Sequence, residues 1–242
     1  MRSIRQLVLP VALLWLVPQS ALATWSHNPY TGNLAVSATT YDQSSCLAVS
    51  DGAGGMIVAW QDTRSGTSTD IYAQRVSAAG VPLWTANGVA VCTAANEQFR
   101  LTIAADEWGG AFLAWVDYRS GAMRVYAQEL NSAGTALWTS GGLQVCTAAA
   151  DQNTPSIASD LSGGALVTWV DYRNVATAPD IYVQRIYPGG GLLWGSNGTA
   201  ICTAASTQAE PQVVGDGGGG GLIVWGDYRG LVPEQARFHL RS

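Results

Sequence analysis

The stretch GGAFLAWVDYRSG, residues 109–121, decides the fold. Two glycines open an apolar run, Trp115 closes it, and Asp117 and Arg119 follow two residues apart. The same order recurs in GGMIVAWQDTRSG (54–66), GGALVTWVDYRN (163–174) and GGLIVWGDYRG (220–230). Trp60, Trp115, Trp169 and Trp225 are separated by 55, 54 and 56 residues, and Asp51, Asp106, Asp160 and Asp216 precede them by nine each time. Self-similarity at such a period marks a repeat architecture.

Further outward, Trp84, Trp138 and Trp194 keep the same period in LWTANGVAVC, LWTSGGLQVC and LWGSNGTAIC. Between the two tryptophan sets lie DIYAQRV (70–76), RVYAQEL (124–130) and DIYVQRI (180–186). Each unit reads as four short strands: LTIAA (101–105), AFLAW (111–115), RVYAQEL and the LW…LQVC segment, for the second copy. β-Branched and aromatic residues fill the strands, while Gly, Asp, Asn and Ser fill the gaps. A unit of about 55 residues is too long for one coil of a β-solenoid and fits a propeller blade. The fold class is therefore all-β, a propeller of four four-stranded blades at about 47–92, 101–146, 155–202 and 211–240 plus 25–37. The split last blade follows from TWSHNPYTGNLAVS (24–37), which reads as a fourth strand, and from a C-terminus that supplies only strands one to three. Pairing these fragments closes the ring and removes two free sheet edges. A truncated piece of a longer array is the competing reading, although an open array needs caps and none is visible.

The chain starts with Arg2 and Arg5, an apolar LVLPVALLWLV (7–17) and Ala21-Leu22-Ala23. That is the pattern of a signal peptide, 1–23, with cleavage near Ala23. It places residues 24–242 outside the cytoplasm, as a secreted, periplasmic or cell-surface domain. The apolar run falls short of the roughly 20 residues of a membrane span. There is no lysine, and 12 arginines face 17 acids. A net acidic chain without a basic cluster argues against nucleic acid and against an anionic membrane surface. Cys46, Cys92, Cys146 and Cys202 lie far apart, so their spacing is not that of a metal site. Export permits disulfides, and a Cys46–Cys92 pair is geometrically conceivable. Cys92, Cys146 and Cys202 hold equivalent places in three blades and read as small buried residues.

The unit DGAGGMIVAWQDTRSGTSTDIYAQRVSAAGVPLWTANGVAVCTA (51–94) resembles a tandem repeat of secreted bacterial proteins of unassigned function. The likeness covers nearly all of 25–235. It implies an exported propeller-like protein and no particular activity. Those proteins often carry a C-terminal sorting or anchoring domain, and no such domain follows the last repeat here. Ser50-Asp51-Gly52 is more distantly similar to the Asp-box hairpins of sialidase-like propellers, where the box is a structural turn.

Four candidate chemistries follow. Arg64, Arg119, Arg173 and Arg229 share one blade position, and arginine forks recognise carboxylate, sulfate or phosphate. Equal numbers of Asp62, Asp117, Asp171 and Asp227 beside them favour a joint instead, with each Arg paired to an Asp. Calcium is the one cofactor left open, through Asp62 with Asp70 and Asp171 with Asp180, although Arg124 breaks the series in the second blade. Trp108 alone stands outside the repeat, in DEWGG, and is the tryptophan expected at a surface contact. For catalysis there is no nucleophile elbow, metal motif or phosphate loop, and Glu97, Glu107, Glu129, Glu210 and Glu234 scatter over different repeat positions. The expectation is thus a secreted binding module without catalytic activity, its ligand an extracellular glycan or protein. The alternative is a sialidase- or glycosidase-like hydrolase, which requires two unrepeated carboxylates in a cleft.

Overall fold

A computed structural model describes residues 33–174, 178–229 and, for its backbone, 234–240. It contains strands and no helix among these residues. The first sheet holds β1 (Gln43–Ser50), β2 (Met56–Asp62), β3 (Asp70–Val76) and β4 (Val89–Cys92). The second holds β5 (Gln98–Ala105), β6 (Ala111–Asp117), β7 (Arg124–Leu130) and β8 (Leu143–Gln144). The third holds β9 (Gln152–Ser159), β10 (Ala165–Asp171), β11 (Asp180–Ile186) and β12 (Thr199–Cys202). The fourth holds β13 (Gln208–Gly215), β14 (Gly221–Asp227) and β15 (Glu234–Leu240). Every sheet is antiparallel, with its strands paired in chain order, the meander of a propeller blade.

The second strands of the two inner sheets are continuous apolar runs that sheets cover on both sides, while β2 and β14 are covered on one. β6 and β10 are buried at every residue. Three separate cores follow, each lying between consecutive sheets. Ile57 and Ile71 meet Leu113 and Trp115. Phe112 and Trp138 meet Ile157 and Val167. Leu166 and Val183 meet Ile223 and Trp225. Among the described residues no such core joins the fourth sheet to the first, and β1 is exposed along almost its whole length.

Each first strand is longer than the sequence suggests, because each carries a bulge. Ser45, Arg100, Thr154 and Glu210 sit there at φ of 50, 53, 48 and 53°, and the register slips at the same place in all four sheets. The turn from first to second strand is built by its aspartate. Asp106 Oδ1 accepts the N–H groups of Trp108 and Gly110 at 2.7 and 2.8 Å. Asp51, Asp160 and Asp216 do the same in their own turns. A buried glutamine then pins the returning Leu-Trp loop. Gln128 Nε2 donates to Thr139 O and its Oε1 accepts from Trp138 N.

The fourth sheet is three-stranded in the described residues. Of the segment expected to complete it, 25–32 lies outside them, as does the signal segment 1–23, and 33–37 forms no strand.

Candidate functional site

The recurring Trp-x-Asp-x-Arg is a closed polar cluster. In the second sheet Trp115 Nε1 donates to Asp117 Oδ2 at 2.9 Å. Arg119 donates from Nε to Oδ1 at 2.8 Å and from Nη2 to Oδ2 at 2.6 Å, a bidentate fork on a buried carboxylate. The same Nη2 reaches Gly141 O at 2.7 Å and Cys92 Sγ of the preceding sheet at 3.1 Å. The guanidinium lies 4.0 Å over the Tyr126 ring, which is stacked beside Trp115. Trp169, Asp171, Arg173 and Tyr182 repeat the set against Cys146. Trp60, Asp62, Arg64 and Tyr72 do so in the first sheet. In the second and third sheets the fork is filled from within the protein, so the cluster acts as a joint between sheets; in the first, Arg64 reaches Asp62 through Nη2 alone and its buried Nε makes no hydrogen bond. Arg229, in the fourth, pairs with Asp227 and is 53% exposed. Burial pushes the Asp62 carboxyl up, but hydrogen bonds from Arg64 and Trp60 outweigh it and hold its pKa below the ordinary value. For Asp227 the hydrogen bond from Arg229 is the leading cause of a lowered pKa.

The four thiols are free, which leaves the conceivable Cys46–Cys92 disulfide unformed; Cys46 is exposed and Cys92 buried. Burial pushes the Cys92 thiol up to about 12, consistent with its role as a neutral acceptor for Arg119.

Asp62 and Asp70, the calcium pair the sequence suggests, are cross-strand partners, as are Asp171 and Asp180, and hydrogen bonds from Trp60 and Arg64 occupy the Asp62 carboxylate. Among the described residues no group of three His, Cys, Asp or Glu side chains gathers. Asp70 instead lines an open cavity of about 600 Å³ with Arg64, Tyr72 and the 93–96 linker.

The repeat breaks chemically opposite the turn aspartate. Arg75 Nε donates to Asp51 Oδ2 at 2.9 Å, and Arg185 Nε to Asp160 Oδ2 at 2.8 Å. These arginines stand opposite Ile57 and Leu166 in the strand register. In the second sheet the residue opposite Phe112 is Glu129, so Asp106 faces a second carboxyl where its sister aspartates face a guanidinium. Asp106 is 2% exposed and Glu129 6%. Burial first, and the Asp106 charge second, raise the Glu129 pKa to about 7; the Trp138 indole acts weakly in the other direction. Trp108, in the Asp106 turn, is 59% exposed, and its ring edge lies over Gly163 of the third sheet. In the sequence Glu129 is one of several scattered glutamates. The signal that singles it out is the alignment of RVYAQEL with DIYAQRV and DIYVQRI, where Glu replaces Arg.

No protein-family model matches the chain, and no curated protein matches it. Solved structures do. An endo-arabinase from Bacteroides thetaiotaomicron is 13% identical, over 78% of this chain and 72% of its own, with a TM-score of 0.46. An endo-1,4-beta-xylanase from the same organism is 8% identical, over 84% and 72%, with a TM-score of 0.41. An alpha-L-arabinanase from Penicillium chrysogenum is 13% identical, over 75% and 56%, with a TM-score of 0.43. Likeness at this level transfers no residue and no substrate. Against the expectation of a module without catalytic activity, these matched proteins are, by name, glycoside-cleaving enzymes. Of the Asp106–Glu129 pair only Glu129 departs from the repeat, and both side chains are buried.

Proposed function

We propose that the chain is an exported hydrolase acting on glycosidic bonds, with Glu129 as its proton donor. The carrying observation is the exchange of Arg for Glu opposite a retained aspartate. It creates one carboxyl that holds its proton near neutrality beside a second carboxyl anchored by two N–H groups. Carboxyl pairs with separated proton affinities are the basis of glycoside cleavage: one protonates the leaving oxygen and the other supplies negative charge to the developing cation. The exposed Trp108, in the same turn as Asp106, offers an apolar face for a sugar ring. Release of reducing ends from a polysaccharide panel, arabinan and xylan included, tests the reading. Glu129→Gln is expected to abolish release with the fold intact, and Trp108→Ala to raise KM. Release undiminished in Glu129→Gln would overturn it.

The burial of both carboxyls favours a second reading, in which Asp106 and Glu129 share a proton as a blade joint in place of an ion pair. Glu129→Arg separates the two, since it rebuilds the sister joint and removes the acid.

The ring is proposed to close on itself, with 25–37 as the outer strand of the fourth sheet and the signal segment 1–23 removed on export. Ser37 Oγ lies 3.4 Å from Arg64 Nη2, the place that Cys92 takes against Arg119 and Cys146 against Arg173. Ala38 N donates to Asn87 Oδ1, much as Thr147 reaches Ser196 and Asn197. Residues 37 and 38 thus behave as the end of a sheet preceding the first.

A further inference from the structure

The head of the third strand carries Asp70, Arg124 and Asp180 in the first, second and third sheets. In the second sheet Arg124 Nη1 donates to Met123 O and Ala150 O, both at 2.8 Å, and Nη2 donates to Ala149 O. Asp151 Oδ1 lies 3.6 Å from Nη1. Three main-chain carbonyls and a carboxylate therefore surround one positive charge.

The first sheet keeps the main-chain frame and loses the cation, and Gln98 Nε2 donates to the Ala95 and Asn96 carbonyls there. Thr69, Ala95, Asn96 and Glu97 hold the places of Met123, Ala149, Ala150 and Asp151. The main-chain frame is the same: Gln98 N donates to Thr69 O and Thr69 N to the Glu97 carboxylate, as Gln152 N does to Met123 O and Met123 N to Asp151. In place of the guanidinium stands the short carboxyl of Asp70, 2% exposed, on the wall of the 600 Å³ cavity that Ala95 and Asn96 also line. Burial, with the charges of Asp62 and Glu97, raises the Asp70 pKa; the Ser65 hydroxyl and Arg64 act against this, and Arg64 is itself held in the Asp62 fork. Asp180 is likewise buried and raised, and neither of its oxygens makes a hydrogen bond of normal geometry.

We infer that Asp70, with Glu97 and the carbonyls of Ala95 and Asn96, binds a hard divalent cation of the calcium class in the place that the Arg124 guanidinium fills in the second sheet. All donors are oxygens, two are carboxylates, and the open cavity leaves room for the waters that complete six to eight ligands. The site does not depend on the proposed activity.

Thermal unfolding of the whole exported chain, in chelator and in millimolar CaCl2 at matched ionic strength, tests it. Calcium is expected to raise Tm by about 3 °C or more. Asp70→Asn should abolish most of that rise. Asp70→Arg, which copies the second sheet, should lift Tm in chelator and remove the response at this site. Isothermal titration of the same three proteins with calcium gives a second readout should Asp70→Asn fold poorly. No difference between chelator and calcium, or an equal rise with NaCl, would overturn the site, as would full calcium binding by Asp70→Arg.

Discussion

Single side chains carry most of what distinguishes one blade from the next. Arg119 and Arg173 occupy equivalent clusters in the second and third sheets, and removing either leaves a buried carboxylate without its fork. Arg119→Gln should cost roughly 3 kcal/mol, the scale for one partner of a buried pair. Arg229→Gln should cost well under half of that, because its guanidinium is half in water. Chemical denaturation of the two variants makes the comparison; equal losses would contradict the joint role. Glu129 behaves oppositely to Asp62. Its raised pKa means the folded state holds the proton more tightly than the unfolded state does. The stabilisation is full below the ordinary glutamate range and is lost as pH rises through about 7. Glu129→Gln should therefore leave stability unchanged near pH 5 and raise it near pH 8, by at most ~3 kcal/mol. The reverse pattern would show that the carboxyl is not destabilised by ionising. The Trp-x-Asp-x-Arg joint was legible in the sequence because equal numbers of Asp and Arg recur at fixed spacing. Glu129 was not, since a single reversal of charge has meaning only once the strand register places it beside Asp106.

At the scale of the element, second and third strands could be read almost to the residue. RVYAQEL coincides with β7, and AFLAW lies within β6. First strands run three to four residues longer than expected, because a bulge hides the pairing that continues beyond it. Fourth strands are shorter, down to two residues in β8, since their Leu-Trp loops are fixed by Gln128 and its equivalents rather than by strand pairing. The glycine after that loop is required by contact as well as by backbone. Gly142 has φ of 105°, and a Cβ there would lie 2.5 Å from the Trp115 ring. Gly121 also has positive φ, but a Cβ there meets nothing within 4 Å. Gly142→Ala should thus lower Tm far more than Gly121→Ala, whose cost is the backbone strain alone, ~1 kcal/mol. Similar shifts from both would contradict the packing of Trp115 on this turn.

Across the whole molecule, three inter-sheet cores are formed, and the outer face of β1 stays open among the described residues. The number of units is set by the repeat period, but closure depends on a strand whose partner is far away in sequence, and no local pattern reports that pairing. If 25–37 pairs with β15, its amides should exchange with solvent as slowly as those of β4 and β12, and fast exchange throughout would contradict the closed ring. The second unit departs from its neighbours where Glu129 meets Asp106, and the proposed chemistry depends on that difference being a held proton. The direct measurement is the carboxyl titration of Glu129 by carbon NMR, with Glu129→Gln to assign the signal. A midpoint near pH 7 that falls when Asp106 is changed to Asn is the predicted result. A midpoint near the ordinary glutamate value, unmoved by Asp106→Asn, would contradict it.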